Sequence, residues 1–206
     1  MSFVLASRWL GWIAATAGVV SALVQYRRVR TRGVEGVSLG TWLIFAYMGV
    51  FWVIYGVDVR SWVLAVGSAL LLPLQLGIVT HLAPQRHVRL LWRAALFVGA
   101  FGVAPALAWG WSAGVYGMGA AMVLMRAPQL WDLVRTPGST GVSAGSWLVS
   151  AVGSALWVAY YVGAHLWAAL VGSALSGAVS GVIAVLADWR HRGTGTDHAG
   201  EDVSVA

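Results

Sequence analysis

Six polar and aromatic side chains, placed at matched spacing in two parts of the chain, are those best suited to chemistry. The chemistry they suit is reversible binding of a small polar solute. Trp52 and Trp157 could flank a solute by stacking indoles on its apolar faces. Ser68 and Ser173 follow them at the same interval and offer hydroxyls that both donate and accept. Gln75 and Ser180 stand seven residues further on, two helical turns away on the same face. Groups that break bonds are missing. Apart from Asp58 and Asp132, near the ends of apolar runs, no acid lies in or beside the first six runs, and a proton relay normally needs one at mid-membrane. His81, His87, His165, His191 and His198 are scattered without ligand or acid-base spacing. Zero Cys excludes disulfides, thiolate metal sites and thiol catalysis. No enzyme, metal site or cofactor is expected.

The elements that must hold these residues are apolar. Of 206 residues 59% are hydrophobic and 10% charged, and the mean hydropathy is +0.77, so lipid rather than water is the natural solvent for most of the surface. A bilayer core about 30 Å thick takes roughly 20 apolar residues per helix. Runs of that kind cover Trp9 to Gln25, Leu39 to Val57, Trp62 to Thr80, Leu90 to Trp109, Trp111 to Trp131, Ala144 to Val162 and Leu166 to Ala187, which predicts an all-α membrane protein with seven transmembrane helices. A tight turn near Gly110 divides the fourth from the fifth. Gln25-Tyr26-Arg27-Arg28 is a poor cleavage site, so the first run reads as a retained helix. The tail from 193 to 206 is polar, without helical period, and reads as disordered.

The net charge of +6 comes from Arg without Lys, clustered between apolar runs, which fits membrane topology better than nucleic-acid binding. Arg27, Arg28, Arg30, Arg32, Arg86, Arg89, Arg93, Arg126, Arg135, Arg190 and Arg192 fall on one side and Arg8 and Arg60 on the other. The positive-inside rule then puts the N-terminus outside and the C-terminus in the cytoplasm of a multi-pass plasma-membrane protein.

A shift of 105 residues lays Gly36-Val37-Ser38-Leu39-Gly40-Thr41-Trp42 on Gly141-Val142-Ser143-Ala144-Gly145-Ser146-Trp147 without a gap. The same shift lays Trp52-Val53-Ile54-Tyr55 on Trp157-Val158-Ala159-Tyr160, and Val66-Gly67-Ser68-Ala69-Leu70 on Val171-Gly172-Ser173-Ala174-Leu175. One period holds four crossings, so both copies enter the membrane in the same direction. The plan is 3+1+3: repeat one over about 9–80, a linker helix over about 90–109 and repeat two over about 111–187. Parallel repeats of this kind are one scheme by which transporters place a substrate site between halves near the midplane. Ser176, Gly177 and Gly181 extend the stripe of Ser173 and Ser180, and such residues either line a cavity or let helices pack closely. Trp52 and Trp157 likewise read as pocket walls or as packing. Pro128, in Ala127-Pro128-Gln129, removes a backbone bond at the end of the fifth helix and makes a hinge or a plain kink; its counterpart in the first copy is Leu23.

Pro128-Gln129 at a helix end, Gly141-Val142-Ser143 opening the next and Trp157-x-x-Tyr160 within it resemble the PQ-loop family. The 3+1+3 plan resembles its SWEET sugar transporters and their half-sized SemiSWEET relatives, over residues 9–187. The resemblance implies a sugar pocket lined by a Trp on the second helix of each repeat and an Asn sixteen positions later on the third. Here Trp52 and Trp157 stand at the first position, and Ser68 and Ser173 replace the Asn, keeping a hydroxyl without the amide. It also implies uniport by rocking of two bundles about Pro128 and Gln129. Proton-coupled relatives resembling cystinosin carry an acid near the Pro-Gln pair, where Asp132 stands. The PQ-loop fold also resembles that of receptors retrieving proteins to the endoplasmic reticulum, which gives a non-transporting alternative. The partners expected are a small solute, sugar first, and the lipid bilayer, with homo-oligomerisation left open.

Overall fold

The structure is a computed structural model that describes residues 3–34, 37–82, 88–135 and 143–197. Among them every regular element is helical: α1 (Phe3–Arg32), α2 (Leu39–Asp58), α3 (Trp62–Leu82), α4 (Val88–Val98), a π-helical turn (Gly99–Val103), α5 (Ala104–Trp109), α6 (Trp111–Leu124), α7 (Ala127–Arg135), α8 (Ala144–Ala164) and α9 (Trp167–Asp197). Six helices are long and apolar enough to cross a membrane, with α4, the π turn and α5 forming one of them. Their outer faces carry large apolar side chains, Leu107 being 83% exposed, which water would penalise and acyl chains accept. The chain is a multi-pass membrane protein.

The helix ends show why these segments start and stop where they do. Ser38 and Ser143, 105 residues apart, are the N-caps of α2 and α8, each accepting from the backbone N–H three residues on at 3.3 Å. The same helices end alike. Arg60 (φ 53°) and His165 (φ 56°) take the left-handed conformation, and the next N–H reaches back five residues: Ser61 to the Gly56 carbonyl at 2.8 Å, Leu166 to the Tyr161 carbonyl at 3.0 Å. The sequence repeat is therefore also a repeat of backbone geometry.

Packing follows the same order in each copy. In the first, α1 packs on α3 and α3 on α2; in the second, α6 packs on α9 and α9 on α8. Both first-to-third contacts are made by small residues. A Cβ on Gly67 would stand 2.9 Å from the Ala15 Cβ, and one on Gly119 only 2.6 Å from the Gly172 Cα, so the helices meet backbone to backbone. Between the copies α1 lies along α8, whereas α2 meets the start of α6 through Phe51 and Tyr55 on the Trp111 ring, each at 5.7 Å.

Two expectations are corrected, on the fifth run and on the tail, and the linker, one span as expected, carries an irregularity. The fifth run is not one helix: Met125 and Arg126 form a turn between α6, 14 residues long, and α7. At 1.5 Å per residue α6 reaches roughly 21 Å, short of the roughly 30 Å core. Pro128 supplies no N–H for the Leu124 carbonyl, which is why the ladder stops there. The linker likewise bulges, the Ala104 N–H reaching back to Gly99, just ahead of Pro105. Finally, α9 runs past Arg192 to Asp197, because extending an established helix by a turn costs little; residues 198–206 lie outside the described part. The Gly110 turn stands where the sequence puts it, with φ 87°.

Candidate solute-binding site

Two cavities lie between the halves, one toward each end. The first, about 430 Å³, is walled by the early part of α2 (Thr41 to Trp52), by Ser68 and Gln75 of α3, by Met122 to Gln129 at the α6–α7 break, and by Trp147 and Ser150 of α8. The second, about 580 Å³, is walled by Arg8 and Trp12 of α1, by Val59 to Val63, and by Tyr160 to Leu166 at the end of α8. Both α2 and α8 run from the first cavity to the second. Between their cavity-lining stretches lie Tyr55 on one and Trp157 on the other, in one buried cluster with Phe51, Tyr160 and Tyr161. Trp52 meets Tyr55 edge-on at 5.8 Å, Trp157 meets Tyr160 at 5.8 Å, and Trp157 stacks on Tyr161 at 5.5 Å. This aromatic layer divides the two spaces.

The layer is latched across the halves. The Tyr160 and Ser61 hydroxyls share a buried hydrogen bond of 2.6 Å, and Ser61 Oγ also accepts from the Leu64 N–H at 3.4 Å. The Tyr160 ring fills the space that a side chain at Gly11 would need, 2.6 Å from a Cβ there, so α1 seats against α8 at the same level.

Of the side chains marked out by sequence, Trp52, Ser68, Gln75 and Gln129 come together on the first cavity. Trp157 does not line it and belongs to the aromatic layer. Ser173 is buried beside the Tyr161 side chain. Ser180, fully buried, donates to the Ser176 carbonyl at 2.9 Å and accepts from Arg126 Nε at 3.0 Å. Pro128 is exposed at the start of α7, and Asp132 lies in that helix with its side chain outside the described part. Gly177 packs against Ser154 of α8, whereas nothing approaches Gly181.

Arg126 is the residue that sequence reading missed. Counted as a charge in a cytoplasmic loop, it instead lines the first cavity, half-buried, with Nη1 donating to the Met122 carbonyl at 2.6 Å. The break at Met125 and Arg126 turns it inward. The signal was available in its position two residues before Pro128, inside the apolar run rather than after it. Gln75 faces it with a buried Oε1 that has no hydrogen-bond partner, pressed against Gly49, where a Cβ would stand 2.9 Å away. The site thus offers an indole face, hydroxyls, two amides and one cation in about 430 Å³, room for a molecule of sugar size. Compared with known proteins, the chain matches no family model, no curated protein and no solved structure.

Proposed function

We propose that the chain is a transporter of the PQ-loop kind, seven crossings arranged 3+1+3, that passes a small polar solute of sugar size down its gradient by alternating access. It sits in the plasma membrane with its N-terminus outside, and it moves its solute chemically unchanged. The observation that carries this reading is the pair of cavities divided by a latched aromatic layer between two three-helix groups. That is the geometry expected of a site open to one face and closed to the other. Solute enters from the cytoplasmic side against Trp52, Ser68 and Gln75. When the Tyr160 latch parts, Trp157 and Ser173 move from the layer to the solute, and Pro128 with Gln129 absorbs the bend at the α6–α7 break.

Purified protein in proteoliposomes tests it by uptake and counterflow of sugars and sugar derivatives. Trp52→Ala should lower saturable flux at least tenfold, and flux unchanged by that substitution for every solute would refute the site. A second reading draws on the cation in the cavity: a receptor that binds an anionic group without translocation. Specific binding with no flux would select it. Proton coupling through Asp132 would require flux that follows a pH gradient.

A further inference from the structure

From the charge of both cavities we infer that the solute is a small monoanionic hydroxycarboxylate, such as a sugar acid, whose carboxylate is held by Arg126. This rests on the transport site proposed above and gives it a substrate class.

Arg126 is fixed before any solute arrives. Ser180 Oγ accepts from Nε at 3.0 Å and the Met122 carbonyl from Nη1 at 2.6 Å, so two of the five N–H groups orient the fork and three remain. Among the described side chains no carboxylate pairs with it. A cation carried half-buried into a membrane protein without a counter-ion is costly, and it fits a site that receives the opposite charge as ligand. The neighbouring groups are neutral: Gln75, Gln129 and Ser68 suit hydroxyls, and Trp52 suits the apolar face of a ring.

The cavity at the other end repeats the bias with different residues. Arg8, Arg60 and His165 line it, and among the described residues no acid does. A route whose two mouths carry cations and, among the described residues, no acid concentrates anions and repels cations at both ends. The single cation at the inner site favours a single negative charge. A phosphate monoester, at about −1.5 to −2 near neutral pH, would leave excess charge uncompensated in a low-dielectric site.

The test is uptake of glucuronate, glucose and glucose 6-phosphate by the full chain in proteoliposomes, with thermal unfolding of the same protein in detergent. Glucuronate should enter saturably and at least tenfold faster than either competitor. An inside-positive potential should speed it, because each cycle moves one negative charge, and Arg126→Gln should slow it at least tenfold while Arg126→Lys keeps part of the rate. Glucose uptake equal to or faster than glucuronate, lost in Trp52→Ala, would overturn the anion assignment and leave the transporter reading intact. Glucuronate that raises the unfolding temperature through Arg126 but never crosses would support the carboxylate site and overturn transport. The absence of both flux and stabilisation with glucuronate would overturn the assignment outright. Should Arg126→Gln fail to fold, the wild-type rate ratio and its response to potential still decide.

Discussion

Replacing Tyr160 by Phe should loosen the latch without emptying the core. The substitution keeps the ring that fills the space beside Gly11 and stacks with its neighbours, and removes one hydroxyl bonded to Ser61 at 2.6 Å. A net intramolecular hydrogen bond is worth about 1 kcal/mol. The Ser61 hydroxyl left behind still meets the Leu64 N–H, at 3.4 Å, so its desolvation adds little. If the bond exists only in the closed arrangement, the open fraction rises about fivefold, from RT of about 0.59 kcal/mol. The chain has no Cys, so a single Ala169→Cys, buried beside the layer, gives a clean reporter. A membrane-impermeant maleimide added from the Arg8 and Arg60 side should label it about fivefold faster in Tyr160→Phe than in the Tyr background. Ser61→Ala should do slightly more, because it also removes the acceptor of the Leu64 N–H. The double variant should match Ser61→Ala alone, since the two share one bond. Equal labelling rates in all four proteins, each folded, would show that the bond does not hold the layer shut.

Four further outcomes follow from the packing. Gly172→Val drives a side chain into the Gly119 backbone, 2.8 Å from a Cβ, and should cost about 1–3 kcal/mol or block folding, read as a fall in unfolding temperature in detergent. Gly181→Ala, with nothing within 4 Å, should gain up to about 1 kcal/mol in the same assay. Ser176→Ala removes a fully buried hydroxyl with no hydrogen-bond partner and should be neutral or stabilising by about 1 kcal/mol, a loss of stability showing that the hydroxyl is used. Pro128→Ala returns an N–H to the Leu124 carbonyl, and should join α6 to α7, raise the unfolding temperature and slow flux.

Much of the architecture was legible because the bilayer and the repeat both write themselves in local chemistry. Of seven apolar runs six are long helices, Gly110 marked the turn before α6, and the matched Gly-Val-Ser segments both open a helix, capped in the structure by Ser38 and Ser143. What failed was the placement of side chains that depend on a break. Arg126 looked like a loop charge because run composition cannot show that Pro128, two residues after it, separates α6 from α7. The pocket was also read as symmetric. Trp157 and Ser173 match Trp52 and Ser68 in sequence, but the cavity takes Trp52 and Ser68 while the layer takes Trp157 and Ser173 is buried beside Tyr161. A shift of one chain on itself shows equivalent positions and is blind to how differently the two halves pack.

The asymmetry has a cause that can be followed residue by residue. Across the 105-residue shift Tyr160 corresponds to Tyr55, but its partner Ser61 corresponds to Leu166, which cannot accept a hydrogen bond. The latch can therefore form once and not twice, and Tyr55 packs on Trp111 instead. At the other end Ser180 corresponds to Gln75, while Arg126 corresponds to Ser21. A long cation spans to Ser180, whereas the Gln75 oxygen is left buried without a partner. Each pair of equivalent positions thus carries one bonded and one unbonded member, at the latch and at the cavity alike. Two identical repeats would have equal reason to close at either half. Those differences put the inter-half hydrogen bond on Tyr160 and leave Gln75 Oε1 without a partner beside the Arg126 fork, groups that a solute would complete under the proposed transport reading. Restoring symmetry at the latch by Leu166→Ser should therefore give Tyr55 a hydroxyl partner of its own and slow opening further, and faster maleimide labelling of Ala169→Cys in that background would contradict this account.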